Sequence, residues 1–207
     1  MLERILEFVF PAQCAACDAA GSGLCARCFP ARDPVSRTLP TLRVRALGRY
    51  EGALRDAILA LKDGRRDVAR ELGRRLGPLA PGGAQLVPVP TSARRLRERG
   101  MDGVRAIAEE IAAREPATCV AAALVQLGDA AQQGRSREER LHARGRFRLA
   151  RALPHATGEI VLVDDVVTTG ATLEDCAATL RGAGYAVARA LAVAVAETDV
   201  GAPLPKQ

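Results

Sequence analysis

The stretch Ile160-Val161-Leu162-Val163-Asp164-Asp165-Val166-Val167-Thr168-Thr169-Gly170-Ala171-Thr172 decides how this chain is read. Its opening apolar run predicts a strand buried on both faces. The strand delivers two adjacent carboxylates to its tip, and a hydroxyl-rich turn with a glycine then opens a helix. Free N–H groups at that helix start, the positive end of its dipole, and the hydroxyls of Thr168, Thr169 and Thr172 form a cradle for a phosphate monoester, with Val167, Gly170 and Ala171 supplying the backbone between them. Asp164 and Asp165 beside it can accept hydrogen bonds from vicinal sugar hydroxyls. A corner that needed only a helix cap would use one such residue. Two acids and three threonines are surplus to that task and costly to desolvate without a ligand. Phosphate and diol recognition side by side points to a ribose 5-phosphate group.

Outward from this segment the pattern alternates. Strands are predicted over 43–50, 85–89, 119–127, 159–163 and 186–194, and helices over 52–62, 67–79, 102–114 and 172–183. Alternating apolar strands and helices predict an α/β fold, a parallel sheet covered by helices on both faces, with its ligand site beyond the carboxyl ends of the strands. Residues 31–42 hold Pro34, Pro40, Ser36, Thr38 and Thr41 without periodicity and read as a linker. The expected division is therefore 1–42 for an N-terminal helix, a cysteine module and the linker, 43–200 for the main domain, and 201–207 for a tail.

With 207 residues, 48% hydrophobic and 26% charged, the composition excludes disordered, collagenous and membrane classes. Leu2, Ile5, Leu6 and Val9 fall at helical spacing ahead of Pro11, which predicts a short amphipathic helix rather than a signal peptide or a membrane anchor. No run reaches transmembrane length, and the expected location is the cytoplasm. A net charge of +6 suggests an anionic partner. Only Lys62 and Lys206 are lysines, so arginine supplies nearly all the positive charge, a skew that reads as coding bias with many arginines on solvated helix faces. Aromatics at 3% leave few platforms on which single-stranded nucleic acid could stack.

Cys14, Cys17, Cys25 and Cys28 form a C-x2-C-x7-C-x2-C array with Gly21 and Gly23 at its bend. Two thiolate pairs joined by a tight turn can close a tetrahedral all-sulfur site, and the expectation is one structural zinc ion that stabilises folding. Paired disulfides would need an oxidising compartment, and a redox pair would need only one Cys-x-x-Cys. Cys119 and Cys176 stand alone in apolar surroundings and are expected to be small buried hydrophobes.

Beyond Val89 the chain turns at Pro90 and Thr91 into Arg94-Arg95-Leu96-Arg97-Glu98-Arg99-Gly100. Arg95 and Arg99 are candidates to grip a pyrophosphate bidentately. The competing reading makes these arginines a solvated helix start. Residues 128–145 are polar, flanked by glycine, and longer than an ordinary connection, which suggests a mobile or functional loop. Arg135, Ser136 and Arg140 are the candidates there. Lys62, at a helix end before Asp63-Gly64, is read as a partner of the helix dipole, with proximity to a pyrophosphate as the alternative. His142 and His155 are read as surface residues.

In its paired-acid, hydroxyl-rich loop the chain resembles the type I phosphoribosyltransferases, and among them the ComF family, named for competence in DNA uptake. Leu61-Lys62-Asp63-Gly64-Arg65-Arg66, Val87-Pro88-Val89-Pro90 with the arginine run, and Gln133-Gly134-Arg135-Ser136-Arg137-Glu138-Glu139-Arg140 carry the same resemblance, as does the cysteine module. Arg99-Gly100-Met101-Asp102 departs from the family's usual Arg-Gly-Phe-Asn. No further cysteine pairs follow in 31–50, which predicts a trimmed module with one zinc.

The resemblance implies a type I phosphoribosyltransferase-like sheet and a cleft that binds phosphoribosyl pyrophosphate with Mg²⁺. It also implies displacement of pyrophosphate by a nitrogen nucleophile, with Asp164, Asp165, Arg135 and Arg140 at the reaction centre and residues 128–145 as its lid. Two other readings stand beside this enzyme: a non-catalytic phosphoribosyl-pyrophosphate-binding adaptor that contacts a competence DNA translocase, and a zinc protein that binds single-stranded DNA.

Overall fold

The central strand of the fold alternates between two cores. Val161 and Val163 pack among the buried residues of one helical layer, while Ile160 and Leu162 pack among those of the other. This computed structural model describes residues 12–115, 118–127, 146–153 and 158–196. The expected N-terminal helix, the loop candidates Arg135, Ser136 and Arg140, both histidines and the tail lie outside the described residues.

The elements in chain order are β1 (Val35–Thr38), β2 (Arg43–Arg49), α1 (Gly52–Lys62), α2 (Arg66–Leu76) with a 3-10 turn Gly77–Leu79, β3 (Gln85–Pro88), α3 (Ala93–Arg99), α4 (Gly103–Arg114), β4 (Cys119–Val120), β5 (Leu124–Gln126), β6 (Phe147–Leu149), β7 (Ile160–Val167), α5 (Ala171–Gly182) and β8 (Val187–Val195). Six strands form one sheet in the order β1-β2-β8-β7-β3-β4. From β2 to β4 the pairings are parallel; β1 alone is antiparallel. The molecule is thus mixed α/β, with a mostly parallel sheet flanked by helices.

Helix faces follow from spacing. In α1 the buried residues are Leu54, Ala57, Ile58 and Leu61, and in α4 they are Val104, Ile107, Ala108 and Ile111, each set at i, i+3, i+4 and i+7. These two helices and α2 cover one face of the sheet, meeting Val161, Val163, Leu191 and Val193. Leu173, Cys176, Ala177 and Leu180 of α5 cover the other, against Leu162, Ala190 and Ala192. Burying a side chain such as Leu162 or Ile107 contributes roughly 1.5–3 kcal/mol, so these stripes hold the layers in place.

Four readings of the sequence need correction. Residues 31–42 are not a featureless linker: Val35–Thr38 pairs with β2, Val35 opposite Ala46 and Thr38 opposite Arg43. The apolar run 119–127 is two strands, because β4 extends the main sheet beside β3 while β5 leaves it to pair antiparallel with β6. β7 does not stop at Val163 but continues through both aspartates to Val167, where Asp164 stands opposite Ala192 and Val167 opposite Val195 on β8. Cys119 is exposed; Cys176 is buried, as expected.

The cysteine-bearing segment packs directly on the helical layer. Cys14, Leu24 and Phe29 belong to the same buried cluster as Leu54, Val68 and Leu72. Arg75 of α2 donates to the carbonyls of Phe29 (2.6 Å) and Leu24 (2.9 Å), and Arg65 donates to the carbonyl of Gln13. Two guanidinium groups therefore donate to backbone acceptors of the irregular segment, and the Leu24 carbonyl also accepts from the Ser22 hydroxyl at 3.2 Å.

Candidate functional site

Parallel sheets expose their loops at the carboxyl ends of the strands, and a cleft of about 840 Å³ lies there, beyond β3 and β7. It gathers residues far apart in sequence. Lys62, Pro90, Thr91, Arg95, Arg99, Asp164, Asp165 and Thr172 all line it, together with Arg94, Arg97, Arg146 and Phe147. Of the expected site residues, Val167, Thr168, Thr169, Gly170 and Ala171 do not line the cleft; Val167 and Gly170 are buried, Val167 in the core on the α5 side. Thr168, Thr169 and Ala171 lie exposed on the turn that leads into Thr172.

That turn is built around Gly170, whose φ of 82° places it in the left-handed region favoured by glycine. A Cβ there would also come within 2.5 Å of the Leu39 side chain. The N-cap residue Gly170 has no side chain to cap α5, but Thr169 Oγ1 accepts from the Ala171 N–H at 3.3 Å. Glu174, the acid of the first turn, is directed away from the helix start, accepting from Thr41 N at 2.9 Å and from the Thr41 hydroxyl. The one acid of the first turn therefore serves Thr41 and not the helix start.

The two aspartates have different surroundings. Asp164 is buried, and its Oδ1 accepts from the Asp165 N–H at 2.9 Å. Burial, reinforced by the charge of Asp165, holds the Asp164 carboxyl well above the usual carboxylate range. Asp165 is less buried; its Oδ1 accepts from the Val166 N–H at 2.7 Å and its Oδ2 lies 3.9 Å from Lys62 Nζ. Lys62, read from sequence as a dipole partner, is therefore the counter-ion of a cleft carboxylate 103 positions away in the numbering.

A stability consequence follows. A carboxyl whose folded pKa is raised binds more protons folded than unfolded, so stability falls as pH rises from about 3.9 through the raised folded value and stays reduced above it. Asp164→Asn is expected to melt higher than the parent at neutral pH and to lose that advantage in acid. Thermal melts across pH check this. A variant that melts lower at neutral pH would show that the ionised carboxylate stabilises the fold.

Across the cleft stands α3. It buries none of its residues, and Leu96 is 42% exposed. It is held by its ends: Ser92 Oγ accepts from the Arg95 N–H at 3.3 Å, and Gly100, at φ 65°, closes the other end. Gly64 packs beneath it, where a Cβ would stand 2.8 Å from the Arg99 carbonyl oxygen and φ is 87°. Only Arg94 of its arginines forms an ion pair among the described residues, with Glu98 at 2.9 Å. Asp102 accepts from Arg105 N at 3.1 Å as the cap of α4 and from the Thr91 hydroxyl at 3.2 Å. Thr91 is thereby tied to the helix that follows.

Arg146 and Phe147 were missed by sequence reasoning. They follow a long polar loop and carry no local signal; pairing of β6 with β5 brings them to the cleft.

The second cluster is the cysteine array. The sulfurs of Cys14, Cys17, Cys25 and Cys28 all lie within 4.8 Å of one another, a set that could bind a metal such as zinc. Cys17 Sγ and Cys25 Sγ are 3.8 Å apart, and a tetrahedron with Zn–S bonds of about 2.3 Å has edges of about 3.8 Å. The backbone N–H of Cys25 points at Cys14 Sγ (3.4 Å), and Arg27 Nη2 at Cys17 Sγ (3.5 Å). Hydrogen bonding from the backbone of Ala19, together with Arg27, lowers the Cys17 thiol to about 6, whereas sharing a proton with Cys17 and Cys25 pushes Cys28 up to about 12. Such a set releases protons when a cation binds it.

No protein-family model matches this chain, and no curated protein matches it. Among the described residues no helix is long and apolar enough to cross a membrane.

Proposed function

We propose that the cleft binds phosphoribosyl pyrophosphate with Mg²⁺ and that the protein transfers the phosphoribosyl group to a nitrogen acceptor, releasing pyrophosphate, as its resemblance to the type I phosphoribosyltransferases of the ComF family implies. One observation carries the reading: a parallel strand brings two adjacent carboxylates into a cleft that Thr172 of the following threonine-rich helix start also lines, and an arginine-rich helix borders the same cleft. The first pair of features suits a ribose bearing a 5-phosphate, and the arginines suit a pyrophosphate.

In this reading Thr168, Thr169, Thr172 and the first N–H groups of α5 hold the 5-phosphate, and Asp164 and Asp165 accept from the ribose hydroxyls. Arg95 and Arg99 hold the pyrophosphate. The donor set also fits Mg²⁺, which takes hard oxygen ligands and keeps much of its water, so Asp165 and the ligand's own oxygens would be enough to hold it. Bound there, the ion would neutralise charge on the leaving pyrophosphate. The chain's own part is orientation and electrostatic complementarity at C1 of the sugar. Arg135, Ser136 and Arg140 are assigned to the lid that closes over it. For the four cysteines we propose one structural zinc, a closed site without an open coordination position.

The test is release of pyrophosphate from purified protein given phosphoribosyl pyrophosphate, Mg²⁺ and a panel of nitrogenous bases. A second reading, a phosphoribosyl-pyrophosphate-binding adaptor, uses the same cleft residues without turnover. Tight binding without turnover with any base would select the adaptor. Absence of binding would refute both readings.

Lys62→Ala is expected to weaken phosphoribosyl pyrophosphate binding about tenfold or more, the effect of removing one charge-assisted hydrogen bond. Its melting temperature should change little, because a partly exposed pair such as Lys62–Asp165 contributes only about 0–1 kcal/mol. Calorimetric titration alongside a thermal melt measures both. Undiminished binding would return Lys62 to the role of dipole partner.

A further inference from the structure

Arg146 occupies a position that the fold alone does not explain. Its Nε lies 2.9 Å from Asp175 Oδ2 and its Nη2 3.5 Å from Thr172 Oγ1, so the guanidinium spans the first turns of α5 at the mouth of the Thr168–Thr172 turn. A cation beside the positive end of a helix has the unfavourable sign. Asp175 offsets this only in part, with both side chains about a third or more exposed. Among the described residues Nη1 has no hydrogen-bond partner.

The placement is nevertheless fixed from behind. The Arg146 carbonyl accepts from Leu127 N at 2.8 Å, and its guanidinium lies 5.9 Å from the centroid of the Phe147 ring, which is buried in the core on the α5 side. The same guanidinium lines the cleft with Asp164, Asp165 and Thr172. An anion seated between Arg146 and the helix start would turn a repulsive arrangement into one in which both positive groups face one negative charge.

We infer that Arg146, oriented at Nε by Asp175, turns its Nη groups onto the phosphoryl group of a sugar 5-phosphate at the Thr168–Thr172 turn and selects its dianionic form. This deepens the ribose-phosphate reading of the cleft and rests on it. Arg146 is the binding residue and Asp175 the positioning residue. The α3 arginines at the other border serve a different anion, so the two ends of the cleft separate in experiment.

Calorimetric titration of ribose 5-phosphate and of inorganic pyrophosphate, each without the other, into wild type, Arg146→Gln, Arg146→Lys and Asp175→Asn tests this, with thermal melts as a check on folding. Arg146→Gln should weaken ribose 5-phosphate about tenfold to a hundredfold, the range for one charge-assisted pair. It should also flatten the rise in affinity as pH passes the second phosphate ionisation near about 6. Pyrophosphate affinity should change less than about twofold. Arg146→Lys should recover part of the loss, and Asp175→Asn should fall between wild type and Arg146→Gln while keeping the pH dependence.

Wild-type affinity and pH dependence in Arg146→Gln would overturn the inference and leave the ribose-phosphate reading standing. Equal weakening of both anions would overturn the assignment of Arg146 to the 5-phosphate end. Failure of wild type to bind either ribose 5-phosphate or phosphoribosyl pyrophosphate would instead remove the reading on which the inference rests.

Discussion

Replacement of Cys17 by Ser is expected to release the metal and to lower the melting temperature of the whole chain, not of the N-terminal segment alone. Structural zinc in small peptides is worth roughly 10–16 kcal/mol at neutral pH, as much as the roughly 5–15 kcal/mol that holds a typical domain folded. The array is not an appendage. Cys14, Leu24 and Phe29 share a buried cluster with Leu54, Ile58 and Leu72, and Arg75 is bonded to two carbonyls of the segment. Unravelling it exposes one side of α1 and α2 and unpairs those carbonyls, so the loss spreads to the sheet. Metal analysis of the purified protein should find close to one zinc per chain, and calorimetry of the variant should show one broadened transition at lower temperature. Protein without zinc, or zinc retained after the substitution, would sink the assignment. A variant with two separate transitions, the upper one unshifted, would show that the segment melts independently.

The second large effect is expected at the cleft. Asp165→Asn keeps the shape of the side chain but removes its charge, and Thr169→Val removes a hydroxyl from the turn to which the 5-phosphate is assigned. Leaving a buried donor or acceptor unpaired costs about 1–3 kcal/mol per group, which corresponds to roughly fivefold to 150-fold in affinity for phosphoribosyl pyrophosphate with Mg²⁺. Asp164→Asn should show the same weakening, and it is the variant expected to be more stable than its parent at neutral pH. Binding and stability would then move in opposite directions at one residue, as they do where a buried charge is kept for a ligand. Titration calorimetry paired with melts of all three variants measures this. If all three bind as tightly as wild type, the ribose-phosphate site is wrong, and the enzyme and adaptor readings fall together.

What could be read directly was local. The segment 160–172 carries its strand, its turn and the start of its helix within thirteen consecutive residues, and the spacing of the four cysteines already implied that their sulfurs could meet around one point. The helical stripes of α1 and α4 were legible for the same reason, since i, i+3, i+4 and i+7 spacing needs no partner to be seen. By contrast the run 119–127 was misread as one strand. An apolar run looks alike whether it joins the main sheet or turns away, and here Ala123 lies between β4 and β5, its carbonyl taken by the Ala150 N–H at 2.7 Å. β1 was hidden because a short strand of mixed polarity at a sheet edge is defined by its neighbour, β2, and not by its own pattern.

By itself, then, the amino-acid sequence determined the α/β class, the acid-and-threonine corner and the four-sulfur cluster, because each is written in residues close enough along the chain to act on one another through the backbone. Only the tertiary structure decided that Lys62 pairs with Asp165, that Arg146 stands over the start of α5, and that the cysteine segment shares the core of α1 and α2. Those contacts join parts of the chain through packing of whole layers. Burial is nearly indifferent to which polar residues are carried to the rim, so their meeting is set by how the sheet and helices stack and leaves no trace in local spacing.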